Sequence, residues 1–491
     1  MLLARRYGLF EPLARLPGIG IWFAMARLAG GLLTPKAAIS LPYGQRLAMG
    51  LEEMGPTFIK LGQVLATRGD LIGPVMAKAL TGLQDRLPPF DQALAIARVE
   101  QALDQPLAEV FADFGPVVAA ASIAQVHFAT TVDGQDVAVK VLRPGIEAAL
   151  ARDLADMGLI ARWVERLVPS SRRLRPVAVV ETLAASIALE LDLRMEGAAC
   201  GELGEALLGD TEFRVPQVDW RRTARQVLTL TRVNGIALSD MEAVREKHDA
   251  PALARRLVHG FLRQAMMGGF FHADLHPGNL FVAEDGALVA VDFGIMGRLS
   301  PDTSRFLALI LKGFVDRDYH AIAKVHVDAG YVGADRDLDA FAQALRAVGE
   351  PVFDRPAAEI SMGRLLTQLF EVTDRFQMQT QPQLLLLQKT MVVVEGVARN
   401  LDPSMNIFDA ARPIIEEWMR EYLGPAAFIR DLGKALDNLV VLVRKAGQIK
   451  PDICVSEPHS APQTINLPLW LATGAFILAT MAFIRVMAIR L

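Results

Sequence analysis

Two short motifs constrain this chain more than anything else in it: HADLHPGN at 272–279 and VDFG at 291–294. The apolar runs NLFVA and ALVAVDF lie between them. Their lengths and residue types predict two short strands joined as a hairpin. Such a hairpin returns Asp292 to the neighbourhood of Asp274 and Asn279, which stand five residues apart. A carboxylate, a second carboxylate and an amide oxygen are then gathered on one side of a small structural unit.

That set suits a magnesium-bound triphosphate. Phosphates repel a nucleophile until their charge is neutralised, and Mg²⁺ selects hard oxygen ligands. Asn279 and Asp292 are the candidate metal ligands, and Asp274 is the candidate catalytic group that orients a hydroxyl or water and accepts its proton. The Asp-to-Asn interval and the following Asp-Phe-Gly are those of the protein-kinase catalytic loop and metal motif. VAVK at 137–140 puts Lys140 on a predicted strand after a hairpin, the context required of the kinase lysine that pairs with phosphates. Glu196 is the expected partner of Lys140 and Glu190 the alternative. The Lys140–Glu196 interval of 56 residues implies an inserted helical segment.

One kinase element is replaced. Where a glycine-rich loop would cover the nucleotide, the chain reads AAASIAQVH, from Ala119, Ala120, Ala121, Ser122, Ile123, Ala124, Gln125 and Val126 to His127. The stretch can still cover ATP, but alanine allows less backbone freedom than glycine, which argues against assuming ordinary kinase activity. His272 and His276 flank Asp274 without metal spacing, and His272 reads as structural. No Cys, Ser or His nucleophile constellation is present.

Composition narrows the class further. At 491 residues the chain suits two lobes with appendages. Hydrophobic residues make up 52%, so part of the chain is expected in or on a membrane. The formal net charge of -4 offers no nucleic-acid footprint. Arg172, Arg173 and Arg175, and Arg221, Arg222 and Arg225, read as solvated surface, with contact to anionic lipid as the alternative. Cys200 and Cys454 lie far apart and fit a reducing compartment. No secretory signal is expected, because Glu11, Pro12, Arg15 and Pro17 break the opening apolar stretch.

Along the chain, residues 12–34 read as an apolar helix interrupted by Arg15 and Arg27, lying at a membrane interface or packed on the body. Residues 42–105 are helical by pattern, with Pro56 as a helix start. Asp133-Gly134 marks a hairpin, QVLTLTR at 226–232 a strand, and Asn234-Gly235 a turn. Pro451, Pro458 and Pro462 mark a linker. Leu467–Ile484 carries no charge over 18 residues and is just long enough to cross a thin hydrocarbon core. The expected organisation is an amphipathic or apolar segment over 1–40, a helical extension over 41–110, an N-lobe with inserted helices over 111–235, a C-lobe over 236–447, a linker over 448–466 and a transmembrane helix over 467–486.

Further motifs make the chain resemble the UbiB family of atypical, ADCK-type kinase-like proteins of ubiquinone biosynthesis. The family's K-x-G-Q motif matches Lys60-Leu61-Gly62-Gln63, its alanine-rich loop matches Ala119–Ser122, and its E-x-D motif matches Glu190-Leu191-Asp192. The resemblance covers most of residues 40–300. It departs at Thr231, where the family pattern has an acidic residue near the lobe connection.

The resemblance implies an α+β, two-lobed protein-kinase-like fold with an N-terminal helical extension and, from the hydropathy, a C-terminal transmembrane helix. It implies that Lys60 and Gln63 lie over the active site, with Glu190 and Asp192 on one helix edge as carboxylate partners of the Lys60 ammonium. ATP and Mg²⁺ are the implied cofactors. The implied role is an ATPase or small-molecule kinase supporting ubiquinone biosynthesis by promoting access to prenylated intermediates. A nucleotide-binding scaffold or lipid-binding pseudokinase is the alternative, and a protein kinase acting on other proteins is less favoured. Expected partners are membrane lipids, prenylated quinone intermediates, other ubiquinone-biosynthesis enzymes and a second copy in a homodimer, with no nucleic acid. The expected location is the inner membrane or another quinone-making membrane, crossed once near the C-terminus, with the body on the ATP-containing side. The flanking Arg485 and Arg490 conflict with that orientation under the positive-inside tendency.

Overall fold

Prolines and a left-handed glycine shape the first helices of this computed structural model. Pro42 caps α1 (Tyr43–Met54), Gly55 turns the chain at φ 106°, and Pro56 opens α2 (Pro56–Ala66). A proline's fixed φ and missing N–H suit a helix's first turn. Packed on both is α3 (Pro74–Leu80), and Leu51, Ile59, Leu80 and Leu83 bury together between the three. Gly62 of the KLGQ run is there for space: a Cβ on it would stand 2.2 Å from Leu83 Cδ1. The described residues are 7 and 41–423, apart from 67–71, 73, 81–82, 84–87, 168–174, 334, most of 354–381, and 406. The expected interfacial segment 12–34, the linker 448–466, the span 467–486 and Cys454 lie outside them. Among the described residues no helix is long and apolar enough to cross a membrane.

Asp91 caps α4 (Gln92–Leu103) by accepting the Ala93 N–H, and α5 (Leu107–Val110) leads directly into the first sheet. Its strands are β1 (Phe111–Ala120), β2 (Ala124–Thr131), β3 (Asp136–Leu142) and β5 (Val227–Thr231), antiparallel in the order β1-β2-β3-β5. Gly134 makes the β2–β3 turn at φ 80°. One face of the sheet buries Val137, Val139, Val141 and Val227 with Val99 and Val110 of α4 and α5.

Between β3 and β5 run α6 (Ile146–Leu167), α7 (Pro176–Glu190), α8 (Leu193–Ala206) and the short β4 (Phe213–Arg214). The first two are the inserted helices that the long Lys140–Glu196 interval requires. Leu142, Ile146, Leu150, Leu183 and Ile187 bury together and lock the insertion to the other face of the sheet.

The second lobe begins with β6 (Gly235–Ala237), α9 (Met241–Lys247) and α10 (Ala250–Leu262), followed by a π-helical turn, Arg263–Gly268. Asn234-Gly235 is no glycine-dependent turn as expected. Gly235 starts β6 and is needed for close approach, since a Cβ would sit 2.4 Å from the Val282 carbonyl oxygen. Then follow β7 (Phe270–His272), β8 (Leu280–Ala283), β9 (Leu288–Ala290) and β10 (Met296–Arg298). These form a sheet in the order β4-β9-β8-β6 and a β10-β7 pair. Helices α11 (Pro301–Val315), α12 (Tyr319–Asp328), α13 (Leu338–Phe353), α14 (Pro382–Leu401) and α15 (Ile407–Leu423) complete the lobe. α10 is its centre: Leu257, Val258 and Phe261 bury against Phe213, Phe271, Leu280, Val397 and Trp418.

Candidate nucleotide site

The β2–β3 register decides which side chains share the cleft. Val126 lies directly opposite Lys140, and both lie opposite members of neighbouring strands on one face of the sheet. Side chains alternate along a strand. Gln125 and His127, opposite Val141 and Val139, therefore face the other way. The side chains of Gln125 and His127 thus point away from Lys140, although both belong to the stretch expected to cover ATP. Gln125 accepts the Phe90 N–H at 2.9 Å and stands 2.9 Å from His127, whose Nδ1 is 2.9 Å from the Gly115 carbonyl. Burial holds His127 below the usual imidazole range, against the pull of that carbonyl. Gln125 holds the sheet to the segment before α4, and His127 ties β2 to β1.

The alanine-rich run is a strand end, a turn and a strand start. Ala119 and Ala120 finish β1, Ala121–Ile123 turn, and Ala124 begins β2. The Ala121 N–H donates to the Ala124 carbonyl at 2.8 Å. Arg143, not foreseen from sequence, secures this turn. Its N–H donates to the Ile123 carbonyl at 2.7 Å, its guanidinium donates to Pro88 and Ala121 carbonyls, and it stacks 5.2 Å from the Phe90 ring centre. Ser122 is fully buried, and its Oγ has no partner among the described residues.

Lys140 reaches from β3 to two carboxylates. Its Nζ donates to Glu196 at 2.7 and 2.9 Å and to Asp292 Oδ1 at 3.2 Å. Glu196 is thus the partner, while Glu190 is engaged elsewhere. Burial works against the Lys140 charge, but Asp292 and Glu196 outweigh it and hold the ammonium above the usual lysine range. Asp292 is held down at about 2, chiefly by Lys140. Glu196 moves upward, because burial and the Asp292 charge outweigh its attraction to Lys140. The Glu196 side chain is 9% exposed and that of Asp292 49%. Glu196 can therefore steady the lysine, and Asp292 keeps a face open to a ligand.

Asp292 has φ 63°, a left-handed conformation that Asp tolerates better than most residues. The next residue, Phe293, is buried against Cys200 and Leu203 of α8, with its ring edge-on to His272 at 5.5 Å. Burial also pushes the Cys200 thiol up to about 12 and removes it from thiolate chemistry.

His272 is structural, as its position suggested. It is fully buried, its Nδ1 accepts the Asp274 N–H at 3.1 Å, and its Nε2 donates to the Val291 carbonyl at 3.2 Å. These bonds require the neutral ring, and burial holds its pKa low. One side chain thereby spaces Asp274 from Asp292. Asn279 donates its amide N–H to the Asp274 carbonyl at 3.1 Å, which leaves its side-chain oxygen as the acceptor. His276 caps the short turn Pro277–Asn279 and lies 3.8 Å from Asp274. Thr390 of α14, also unforeseen, donates to the Ala273 carbonyl at 3.1 Å.

In the extension, Lys60 of α2 pairs with Glu190, the last residue of α7, and Thr57 donates to Asp153 of α6 at 2.5 Å. Asp192 departs from expectation. It lies beyond the end of α7, where it caps α8 and is forked by Arg194 at 2.9 and 2.6 Å. Glu190 and Asp192 therefore do not share one helix edge. Gln63 lies half-buried on the same helix as Lys60. Thr231 ends β5, donating its N–H to the Gln217 carbonyl at 2.8 Å and accepting the Gln217 N–H at 2.9 Å. Arg222 is no solvated surface cation: it bonds Asp219, Asp133 and the Val110 carbonyl.

Comparison with known proteins agrees with this geometry. Residues 82–326 match the ABC1 atypical kinase-like domain, and residues 345–406 match the UbiB helical domain. A Marinobacter nauticus protein named probable protein kinase UbiB is 40% identical, over 93% of this chain and 84% of its own. A namesake from Pseudomonas paraeruginosa is 38% identical, over 93% of this chain and 87% of its own. Among solved structures, Mycobacterium tuberculosis Rv3197, determined with erythromycin, is 23% identical at a TM-score of 0.50, covering 74% of this chain and 92% of that one, a likeness of fold. From the catalytic loop through α14, with the relatives spanning nearly its whole length, the chain belongs to the UbiB family of ABC1 atypical kinase-like proteins.

Proposed function

We propose that the protein is an ATP-dependent atypical kinase or ATPase that supports ubiquinone biosynthesis at a membrane, giving pathway enzymes access to prenylated intermediates. The observation that carries this reading is Lys140 held between Glu196 and Asp292, at 2.7 and 3.2 Å, beside the Asp274–Asn279 loop. Family membership supports the quinone role, and the charge-free stretch Leu467–Ile484 supports membrane attachment.

The residues fit ATP and Mg²⁺. Asn279 has an uncommitted side-chain oxygen, and Asp292 stays ionised far below neutrality. Among the described residues no cluster of His, Cys, Asp and Glu forms a complete metal cage. An ion held by Asn279 and Asp292 would complete its shell with phosphate and water, as Mg²⁺ prefers. Once bound, it would supply neutralisation of the phosphate charge.

The chain's own groups do the rest. Lys140 offers a fixed positive charge to the α- and β-phosphates, and Glu196 keeps it in place. Asp274 orients the attacking hydroxyl or water and takes its proton while the new P–O bond forms and the bond to the departing diphosphate breaks. Ala119–Ile123 cover the phosphates as a stiffer lid than glycines would make. The KLGQ helix and this lid weigh against phosphorylation of proteins.

The test is twofold. Purified full-length protein releases phosphate from ATP, faster with membranes present. Cells carrying Asp292→Asn accumulate an early prenylated intermediate, whereas normal quinone content in those cells would overturn the proposal.

A further inference from the structure

The catalytic loop holds the Asp274 backbone from several sides. Its N–H donates to His272 Nδ1, and its carbonyl accepts from Asn279. The Ala273 carbonyl accepts from Thr390, and the His272 N–H donates to Gln264 Oε1 at 3.1 Å. None of these bonds touches the carboxylate. Among the described residues, the one side chain within ion-pair distance of it is His276, whose Nε2 stands 3.8 Å from Asp274 Oδ2. Neither is walled in: the His276 side chain is 48% exposed and that of Asp274 32%.

The imidazole is held in one tautomer. The Gly278 N–H donates to its Nδ1 at 3.0 Å. A backbone N–H can only donate, so Nδ1 carries the lone pair and the proton of the neutral ring sits on Nε2. Gly278 leaves the ring its place, since a Cβ there would stand 2.9 Å from Cε1 and 3.0 Å from Nδ1. The ring nitrogen near the carboxylate is therefore a donor with no lone pair to offer.

That excludes one role and leaves another. A proton relay would need a free lone pair on the nitrogen beside Asp274, and that nitrogen already carries a proton. The 3.8 Å separation is too long for a hydrogen bond. Catalytic contacts are often long before reactants bind, and they tighten in the reacting complex. A carboxylate that takes a proton on one oxygen is oriented by a donor to the other, as a base is oriented by a third group in catalytic triads.

We propose that His276 is the positioning residue of Asp274. The assignment rests on the ATP-dependent reading above. The Nε2–H engages Oδ2 and turns Oδ1 toward the attacking hydroxyl or water. Asp274 takes that proton while the new P–O bond forms, and later releases it to solvent; the ring stays neutral throughout.

Two substitutions divide the ring's functions. His276→Asn keeps an acceptor for the Gly278 N–H and removes the distal donor, whereas His276→Gln keeps the distal donor and gives up the cap. Phosphate release from ATP is measured with the full-length protein in detergent, beside thermal unfolding. His276→Asn should lower kcat about tenfold, with the KM for ATP within about twofold and unfolding unchanged. His276→Gln should recover most of kcat despite a small loss of stability. Wild-type kcat in His276→Asn would reduce His276 to a cap and overturn the assignment. Equal losses in both folded variants would overturn it too, by showing that the distal donor alone does not serve. Failure of the wild type to release phosphate would instead overturn the ATP-dependent reading, and this assignment with it. The tautomer is read without turnover, by long-range proton–nitrogen NMR of histidine-labelled protein: a proton on Nδ1 of His276 would overturn the assignment whatever the kinetics.

Discussion

Thr390 stands 117 residues beyond Ala273, yet its hydroxyl donates to the Ala273 carbonyl at 3.1 Å, one residue before Asp274. The hydroxyl is fully buried and also reaches the Leu386 carbonyl of its own helix at 2.9 Å. Through it, α14 fixes the backbone that presents Asp274, the proposed proton acceptor. Thr390→Val keeps the shape and removes the donor, leaving a buried carbonyl short of a partner. Thermal unfolding should show a loss of about 1 kcal/mol, and ATP turnover should fall about tenfold. Unchanged turnover in a folded variant would separate α14 from the chemistry.

Asp292 ties stability to acid. Lys140 holds it at about 2, below its ordinary 3.8. A carboxylate depressed on folding stabilises the native state above its unfolded value and loses that contribution as pH falls through the folded one. Between 3.8 and about 2, the wild type should lose stability more steeply than Asp292→Asn. Glu196, shifted upward, acts in the opposite sense. Parallel slopes in acid denaturation would contradict the Lys140–Asp292 contact.

Asp192 caps α8 four residues before Glu196. Asp192→Ala should cost about 1 kcal/mol and raise the KM for ATP, because fraying at the first turn loosens the Lys140 partner. Asp192→Ser should restore most of both. A stability loss with no change in KM would confine Asp192 to capping.

Lys60 and Glu190 form a largely buried pair, 9% and 22% exposed. Lys60→Met leaves Glu190 without this partner and should cost about 2 kcal/mol. Lys60→Met with Glu190→Leu should recover most of it. A double variant no better than the single would show that Glu190 is not the residue Lys60 serves.

The cleft was legible in sequence because its chemistry demands particular residue types at fixed intervals. Asp274, Asn279, Asp292 and Lys140 follow from motif spacing, and Glu196 from the analogy with the helix glutamate that pairs with the lysine in protein kinases. The turn of Gln125 and His127 away from Lys140 carries no sequence signal, because the pairing register that puts Val126 opposite Lys140 is a tertiary fact. Asp192 could have been recognised, since an acid just before an apolar helical run is a capping signal. Thr390 and Gln264 carry no such signal. A buried Thr or Gln matters only for the carbonyl or N–H that folding puts beside it.

The fastening of α2 has a mechanical consequence. Thr57 and Lys60 clip that helix to α6 and α7, and α7 runs into Asp192 at the head of the helix carrying Glu196. A lever thus extends from a segment preceding the sheet to the glutamate that steadies Lys140, bypassing the catalytic loop.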